Sequence, residues 1–352
     1  MTTTSTRSVR GARRVGRTCA AVLAVCAVLA ACGGNDGGDG GGEPVTFLNV
    51  LPMESLSFAP EMIADTRGLF EARGLDVTFE ATQGSAPAIQ TVLAGGAQLT
   101  RIGDIETMIA AGERNAPLLA FGEPIHTGTI RMISTDAAPV TRAEQFRGRL
   151  VGTPSEGGTS SITLDLVAGS AGVRPEEVSR QVVGLSPGVF DLLTSGRVDS
   201  YIVSLDTSVL LDHTRPETVV YDPNQDIDAG AQMYVTSAAQ MADPQTRDRL
   251  ERYASAVEEA MQFIVDDEAN GFAETMRLID SEYQVPALGD PEVAKAALAA
   301  YVDAYTSGDT LLGISPQRWQ AAYDEIVGIG QLPPGLDPGT WLDTTLTPAP
   351  AR

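Results

Sequence analysis

The chain has 352 residues, 43% of them hydrophobic, enough for two domains of ordinary size, each with its own core. Asp and Glu outnumber Lys and Arg by 46 to 24, for a net charge of −22, which argues against nucleic acid and against docking on anionic lipid headgroups. Two histidines and three cysteines leave little material for zinc or thiol chemistry.

The first 31 residues carry Arg7, Arg10, Arg13, Arg14 and Arg17, no acid, and an apolar run over 19–31. That is the pattern of a secretory signal peptide, with an apolar run too short to span a bilayer comfortably. It closes on Leu29-Ala30-Ala31-Cys32 before Gly33, which resembles a bacterial lipobox. Residues 1–31 are therefore expected to be removed by the general secretory route, since the residues after Arg13-Arg14 fit twin-arginine export poorly, and the Cys32 thiol is expected to take a lipid. Residues 32–44 are nearly all glycine and polar, a flexible tether of about 20 Å reach. Cys19 and Cys26 leave with the leader and Cys32 is consumed, so disulfides, a cysteine nucleophile and a thiolate metal site are all excluded from the mature body. Loss of the five leader arginines takes the net charge from −22 to −27.

The mature body begins with an apolar strand over 45–51. Residues 58–79, FAPEMIADTRGLFEARGLDVTF, then place Met62, Ile63, Leu69 and Phe70 at helical spacing, stop at Gly74, and alternate Leu75, Val77 and Phe79 as in a half-buried strand. Strand, helix, strand in this order makes parallel pairing. The same grammar returns about a hundred residues later: a strand over 150–152, the loop TPSEGGTSS, a helix through Leu164 and Leu166 to Gly172, and a strand near 181–183. The following segments match as well, AIQTVLAGGAQLTRIGDI and VFDLLTSGRVDSYIVSLD each reading helix, glycine, strand. Two α/β lobes of like construction are expected, the first from 45–135 plus 232–345 and the second from 136–231. A strand over 232–236 returns to the first lobe, and helices follow over 244–264, 291–305 and 316–329. Two chain crossings between lobes make a hinge.

At this point the ordered set of a GLFEARGLDV step, Gly84-Ser85, LAGGAQL, FRGRLVGTPSEGGTSS, SGRVDSYIV and, later, WQAAYDEIVGIGQL resembles the solute-binding proteins of the nitrate, sulfonate, taurine and thiamine-pyrimidine uptake family. The resemblance implies a two-lobed, hinge-closing periplasmic-binding-protein-like body of type II, without a cofactor, that captures a small molecule and delivers it to the permease subunits of an ABC importer. The lipid on Cys32 then holds it, as a monomer, on the extracytoplasmic face of the cell membrane. The first loop reads LPMESLSFAP and lacks the Trp and His that members binding thiamine-pyrimidine precursors commonly carry, which weakens that assignment.

Ligands of open α/β sheets bind beyond the carboxyl ends of the strands, where helix N-termini converge. That rule selects Glu54, Ser55 and Phe58 after the first strand, Gly84 and Ser85 after the next, and Asp104, Glu106 and Thr107 after the third. In the second lobe it selects Ser155, Gly157, Gly158, Thr159 and Ser160, then Ser186 and Phe190, then Asp206. Hydroxyls and backbone N–H groups would grip oxygens, with Phe58 and Phe190 as apolar walls. Residues 152–159 match a phosphate-binding loop except that Gly158 stands in place of its lysine and Glu156 adds negative charge, which argues against a triphosphate.

An enzyme is the competing class, a lipid-anchored transferase or hydrolase on the same fold. Gly184-Leu185-Ser186-Pro187-Gly188 fits a nucleophile elbow, but Pro187 has no N–H to give an oxyanion hole. His126 and His213 fall in no ligand-spaced cluster, so no catalytic or metal-binding residue is assigned. The helix N-termini favour an anionic or oxygen-rich group, whereas Glu54, Asp104, Glu106 and Glu156 would repel a bare anion. A nitrogen- or sulfur-containing organic solute, such as an aminosulfonate or a heterocyclic amine, reconciles the two better than nitrate.

Overall fold

The computed structural model describes residues 41–50, 53–82, 84–154, 158–184 and 187–347. Within them ten strands form two five-stranded sheets, and each repeats the other's pattern. The first sheet has the order β2 (Leu75–Ala81), β1 (Glu43–Asn49), β3 (Leu99–Gly103), β10 (Gln232–Ser237), β4 (Leu118–Ile125). The second has β7 (Ser179–Val182), β6 (Leu150–Thr153), β8 (Ser200–Ser204), β5 (Ile130–Thr135), β9 (Thr218–Tyr221). In each, the first three strands are parallel and the last two joints antiparallel. The antiparallel newcomer, β10 or β5, is in both cases the strand that has just crossed from the other sheet. The chain therefore passes between sheets twice, over residues 126–129 and 222–231. The first passage lies before the expected boundary at 135, because β5 pairs with β8 and β9.

Eleven helices join and cover these strands among the described residues: α1 (Ala59–Thr66), α2 (Ser85–Leu93), α3 (Asp104–Gly112), α4 (Thr159–Ser170), α5 (Phe190–Thr194), α6 (Leu205–Thr214), α7 (Ala238–Ala242), α8 (Pro244–Asp267), α9 (Ala273–Glu282), α10 (Pro291–Thr306) and α11 (Pro316–Gly328). None is long and apolar enough to cross a membrane. The late helices start where the sequence places them, each on a proline behind a capping side chain. Asp243 accepts from the Thr246 N–H at 2.8 Å, Asp290 from Glu292 at 3.0 Å and Ser315 from Arg318 at 3.4 Å. The helix expected to run on to Gly74 ends earlier, at Thr66, where Gly68 at φ 64° turns the chain, and Gly74, at φ 69°, then leads into β2.

The larger core lies between the first sheet and α1, α8 and α10. Phe47 of β1 sits at its centre, 5.8 Å from the ring of Phe79, 6.0 Å from Tyr253 and 6.2 Å from Tyr234. α8 contributes Leu250, Tyr253, Val257, Met261 and Ile264 from one face, at the spacing of an apolar stripe.

Into this core β3 sends a charge. Arg101, with its side chain 1% exposed, pairs through Nη1 with both oxygens of Glu61 of α1, at 2.9 and 3.2 Å. Its Nη2 donates to the Ser57 carbonyl at 2.8 Å and to the Ser57 hydroxyl, and its Nε to Gln232 Oε1 at 2.8 Å. Each of the three guanidinium nitrogens thus donates within the protein. The Tyr234 hydroxyl donates to Glu61 at 2.7 Å, and the guanidinium carbon lies 4.3 Å from the centre of the Phe58 ring. Burial alone would lower the Arg101 pKa, but Glu61 holds it above its ordinary value. Breaking such a pair leaves the partner buried and uncompensated. Glu61→Gln is expected to destabilise the mature protein by about 3–5 kcal/mol in urea unfolding. The double substitution Arg101→Met with Glu61→Leu should cost clearly less than the sum of the two singles. Additive losses would contradict this account.

Candidate functional site

Where the carboxyl ends of the parallel strands of both sheets come together there is a cavity of about 250 Å³. From the first sheet it receives Val50 after β1, Ser55, Ser57 and Phe58 from the turn leading to α1, Gly84 and Ser85 at the start of α2, Arg101 to Gly103 at the end of β3, and Glu106 from α3. From the second it receives Ile130 of β5, Pro154 after β6, Gly158 to Ser160 at the start of α4, and Ile202 to Ser204 at the end of β8. The crossings add Thr129 and Gly230, β10 adds Gln232 and α10 adds Tyr301.

Gly84 and Gly158 precede α2 and α4 at φ 98° and 76°, a backbone conformation that L side chains rarely adopt, and neither helix has a side-chain cap. Their place is taken by a carboxylate. Glu106 Oε1 accepts from the Ser85 hydroxyl of α2 at 3.1 Å and from the Thr159 hydroxyl of α4. One side chain of α3 therefore ties the first residues of two helices, one from each sheet. Glu106 Oε2 has no hydrogen-bond partner among the described residues. Burial pushes the Glu106 pKa up, against its own N–H, the Ser85 hydroxyl and the Thr159 N–H, which favour the ionised form. A second tie joins the sheets at the Ser55 wall, where the Ser55 hydroxyl donates to Asp206 Oδ2 of α6 at 3.2 Å. Asp206 Oδ1, too, has no partner among the described residues.

Of the residues selected from the sequence, Ser55, Phe58, Gly84, Ser85, Glu106, Gly158, Thr159 and Ser160 line the cavity, and Asp206 stands behind Ser55. Asp206 and four others do not line it. Glu54 is exposed. Thr107 is buried, its hydroxyl donating to the Gly103 carbonyl at 2.8 Å. Phe190 is fully buried in the core of the second sheet beside Tyr201 and Val203, so it cannot form a cavity wall. Asp104 turns the other way, to the Gly230 N–H at 3.0 and 3.1 Å and the Ile105 N–H at 2.7 Å. Ser155, Gly157 and Ser186, and Cys32 of the lipobox, lie outside the described residues. Sequence reasoning passed over Ser57, Arg101, Gln232 and Tyr301. Only Arg101 carried a signal, as a lone charge in the apolar strand LTRIG.

Asp104 belongs to the second crossing. There the N–H groups of Asp228 and Ala229 donate to Glu325 of α11 at 2.8 and 3.0 Å, so three consecutive amides are held by two carboxylates. At the first crossing Asn224 brackets Gly128, accepting from its N–H and donating to its carbonyl, both at 2.8 Å. The two crossings touch, since a Cβ on Gly230 would come within 3.1 Å of the Gly128 Cα.

The histidines stand apart from the cavity. His126 is buried against the Thr310 carbonyl at 2.8 Å, and His213 is exposed. Among the described residues no group of three or more His, Cys, Asp or Glu is placed to hold a metal ion.

Burial raises the Asp104 pKa to about 7, opposed by the Gly230 and Ile105 N–H groups and reinforced by Glu123 and Glu106. An unfolded aspartate titrates at 3.8, so the folded state keeps a proton that the unfolded chain has lost. The stability this contributes is fully present below about pH 4 and is lost as pH rises through about 7. Asp104→Asn keeps an Oδ1 that accepts from both N–H groups and does not titrate. The stability of wild type relative to Asp104→Asn is expected to fall between pH 4 and 7, measured by urea unfolding; a difference flat with pH would contradict this.

Comparison with known proteins adds three findings. A family model described as NMT1/THI5 like matches residues 55–270. No curated protein matches the chain. Among solved structures, the alkanesulfonate-binding protein SsuA from Xanthomonas axonopodis pv. citri, bound to MOPS, is 13% identical with a TM-score of 0.66, covering 87% of this chain and 99% of its own. The periplasmic nitrate-binding protein NrtA from Synechocystis PCC 6803 is 16% identical, TM-score 0.59, covering 84% and 83%. The desulfurization enzyme DSZB is 14% identical, TM-score 0.52, covering 86% and 97%. The architecture is thus the two-lobed, type II periplasmic-binding-protein arrangement.

Proposed function

From the premise that this chain belongs to the NMT1/THI5-like family, we propose that it is the extracytoplasmic substrate-binding lipoprotein of an ABC importer. In this reading the lobes close on a small organic nitrogen- or sulfur-containing solute and hand it to permease subunits in the membrane, while Cys32 carries the lipid anchor. The observation that carries it is the cavity between the two sheets, bridged by Glu106 to Thr159 on one wall and Ser55 to Asp206 on another. Hydroxyl-to-carboxylate bonds across a cleft suit a body that opens and closes, because each can be exchanged for water or for a ligand group. The two crossings, where Gly128 and Gly230 lie side by side, would act as the hinge.

The enzyme reading draws support from the likeness to DSZB, which is one of fold alone. Against it, the described lining residues include no Cys, His or Lys to serve as nucleophile or base. One experiment separates the two. Mature protein is denatured to release any bound small molecule, which is identified by mass spectrometry, and the refolded protein is then given it back during small-angle scattering. The expected result is an unaltered nitrogen- or sulfur-containing organic compound whose rebinding lowers the radius of gyration. Release of nothing, or chemical conversion of the compound on incubation, would contradict the proposal.

A further inference from the structure

The charge of the solute can be read from which groups at the cavity are already engaged. Arg101 is the one basic side chain among the described residues lining it, and its charge is paired with Glu61 while each of its three nitrogens already donates to Glu61, Ser57 or Gln232. The residues between described segments, 51–52, 83, 155–157 and 185–186, include no Lys, Arg or His and add one acid, Glu156. Among the described residues lining the cavity, an incoming anion therefore meets no free cation.

Helix N-termini could still attract an anion, and α2 and α4 both begin at the cavity. Yet the protein places an anion of its own there, since Glu106 Oε1 takes the hydroxyls of Ser85 and Thr159. A sulfonate, nitrate or carboxylate at the same place would lie against that carboxylate in a closing cleft, where repulsion grows as water leaves. What the site offers is acceptors. Glu106 Oε2 and Asp206 Oδ1 are both buried atoms with no partner among the described residues. In the cavity that Glu106 lines, Phe58, Ile102, Ile130 and Val203 give apolar walls that fit a hydrocarbon or aromatic body.

Building on the capture reading above, we propose that the solute is a small organic cation bearing N–H donors, an ammonium or amidinium on an apolar body, whose charged end pairs with Glu106 Oε2. Asp206 Oδ1, behind Ser55, is the second acceptor for the donors that remain. A charged donor on a buried carboxylate forms the strong class of hydrogen bond, and it satisfies an oxygen that otherwise has none.

The test is calorimetry on ligand-stripped mature protein with three probes of different charge: benzamidinium, taurine and benzenesulfonate. Benzamidinium is expected to bind about tenfold or more tightly than benzenesulfonate, and Glu106→Gln to weaken it by about tenfold or more. Gln keeps an oxygen for Ser85 and Thr159, so its unfolding midpoint checks that the fold is intact. Glu54→Gln, at an exposed carboxylate off the cavity, should leave affinity unchanged. Benzenesulfonate binding as tightly as benzamidinium, or Glu106→Gln without effect on benzamidinium, would overturn the cation assignment and leave solute capture standing. Binding of none of the three would also overturn it; capture itself falls only if, in addition, the mature protein releases no small molecule on denaturation.

Discussion

A guanidinium cut off from water must have its donors met by the protein, and Arg101 achieves this by drawing together three segments far apart in the chain, residues 57–61, its own strand β3 and β10. Glu61 comes from α1, Ser57 from the turn before it, Gln232 from the strand that returns from the second sheet, and Tyr234 closes the pair from that strand. The arrangement fixes where β3, α1 and β10 stand relative to one another, which is the floor of the cavity. A buried ion pair is weak evidence of net stability, because removing two charges from water costs much of what their attraction returns. Its role here is geometric: this arrangement of the elements gives each of the three nitrogens an acceptor. With its charge met by Glu61 and each nitrogen already donating, Arg101 is not a free cation at the cavity, which is the premise of the charge proposed for the solute.

The same third helix carries two acids to two different places. Asp104 and Glu106 are two residues apart, hence about 200° around a helix, so they face opposite ways. Asp104 reaches the return crossing and joins Glu325 in holding three consecutive amides, while Glu106 reaches the cavity and holds α2 and α4. Crossing and cavity are thereby both bonded to one short helix. A solute that draws Glu106 away from Thr159 acts on the helix that also grips the segment about which the lobes would turn.

Much of this was legible in the sequence and some was not, for physical reasons. The repeated phrase of helix, glycine and strand announced two sheets of one design, because glycine at positive φ is a local requirement that residues write plainly. Pro244, Pro291 and Pro316 began the late helices read from the sequence, and Asp243, Asp290 and Ser315 cap them there. The rule that ligands gather beyond strand ends led to Ser55, Ser85, Glu106 and Thr159. It could not tell Asp104 from Glu106, or know that Phe190 turns into the second core, since those depend on which side of a helix meets which neighbour. Gln232 and Tyr301 reach the cavity from elements more than a hundred residues beyond the first strands, and nothing local marks them. The position of β5 in the second sheet depends on long-range pairing, so the boundary read at residue 135 fell at the end of β5 instead of at the crossing before it.

The acidity of the molecule and the character of its site differ in kind. Most of its carboxylates are solvated and serve solubility. Glu106 and Asp206 are half-buried, tied to hydroxyls across the cleft, and each keeps one buried oxygen without a partner among the described residues. Central to the account is that this oxygen on Glu106 is the counter-charge for a captured organic cation. A crystal structure of the mature protein with its co-purified solute tests that most directly. The account predicts a solute nitrogen within hydrogen-bond distance of Glu106 Oε2, with Arg101 still bound to Glu61 and Ser57. An oxyanion at that position, or Arg101 turned from Glu61 to the solute, would contradict it.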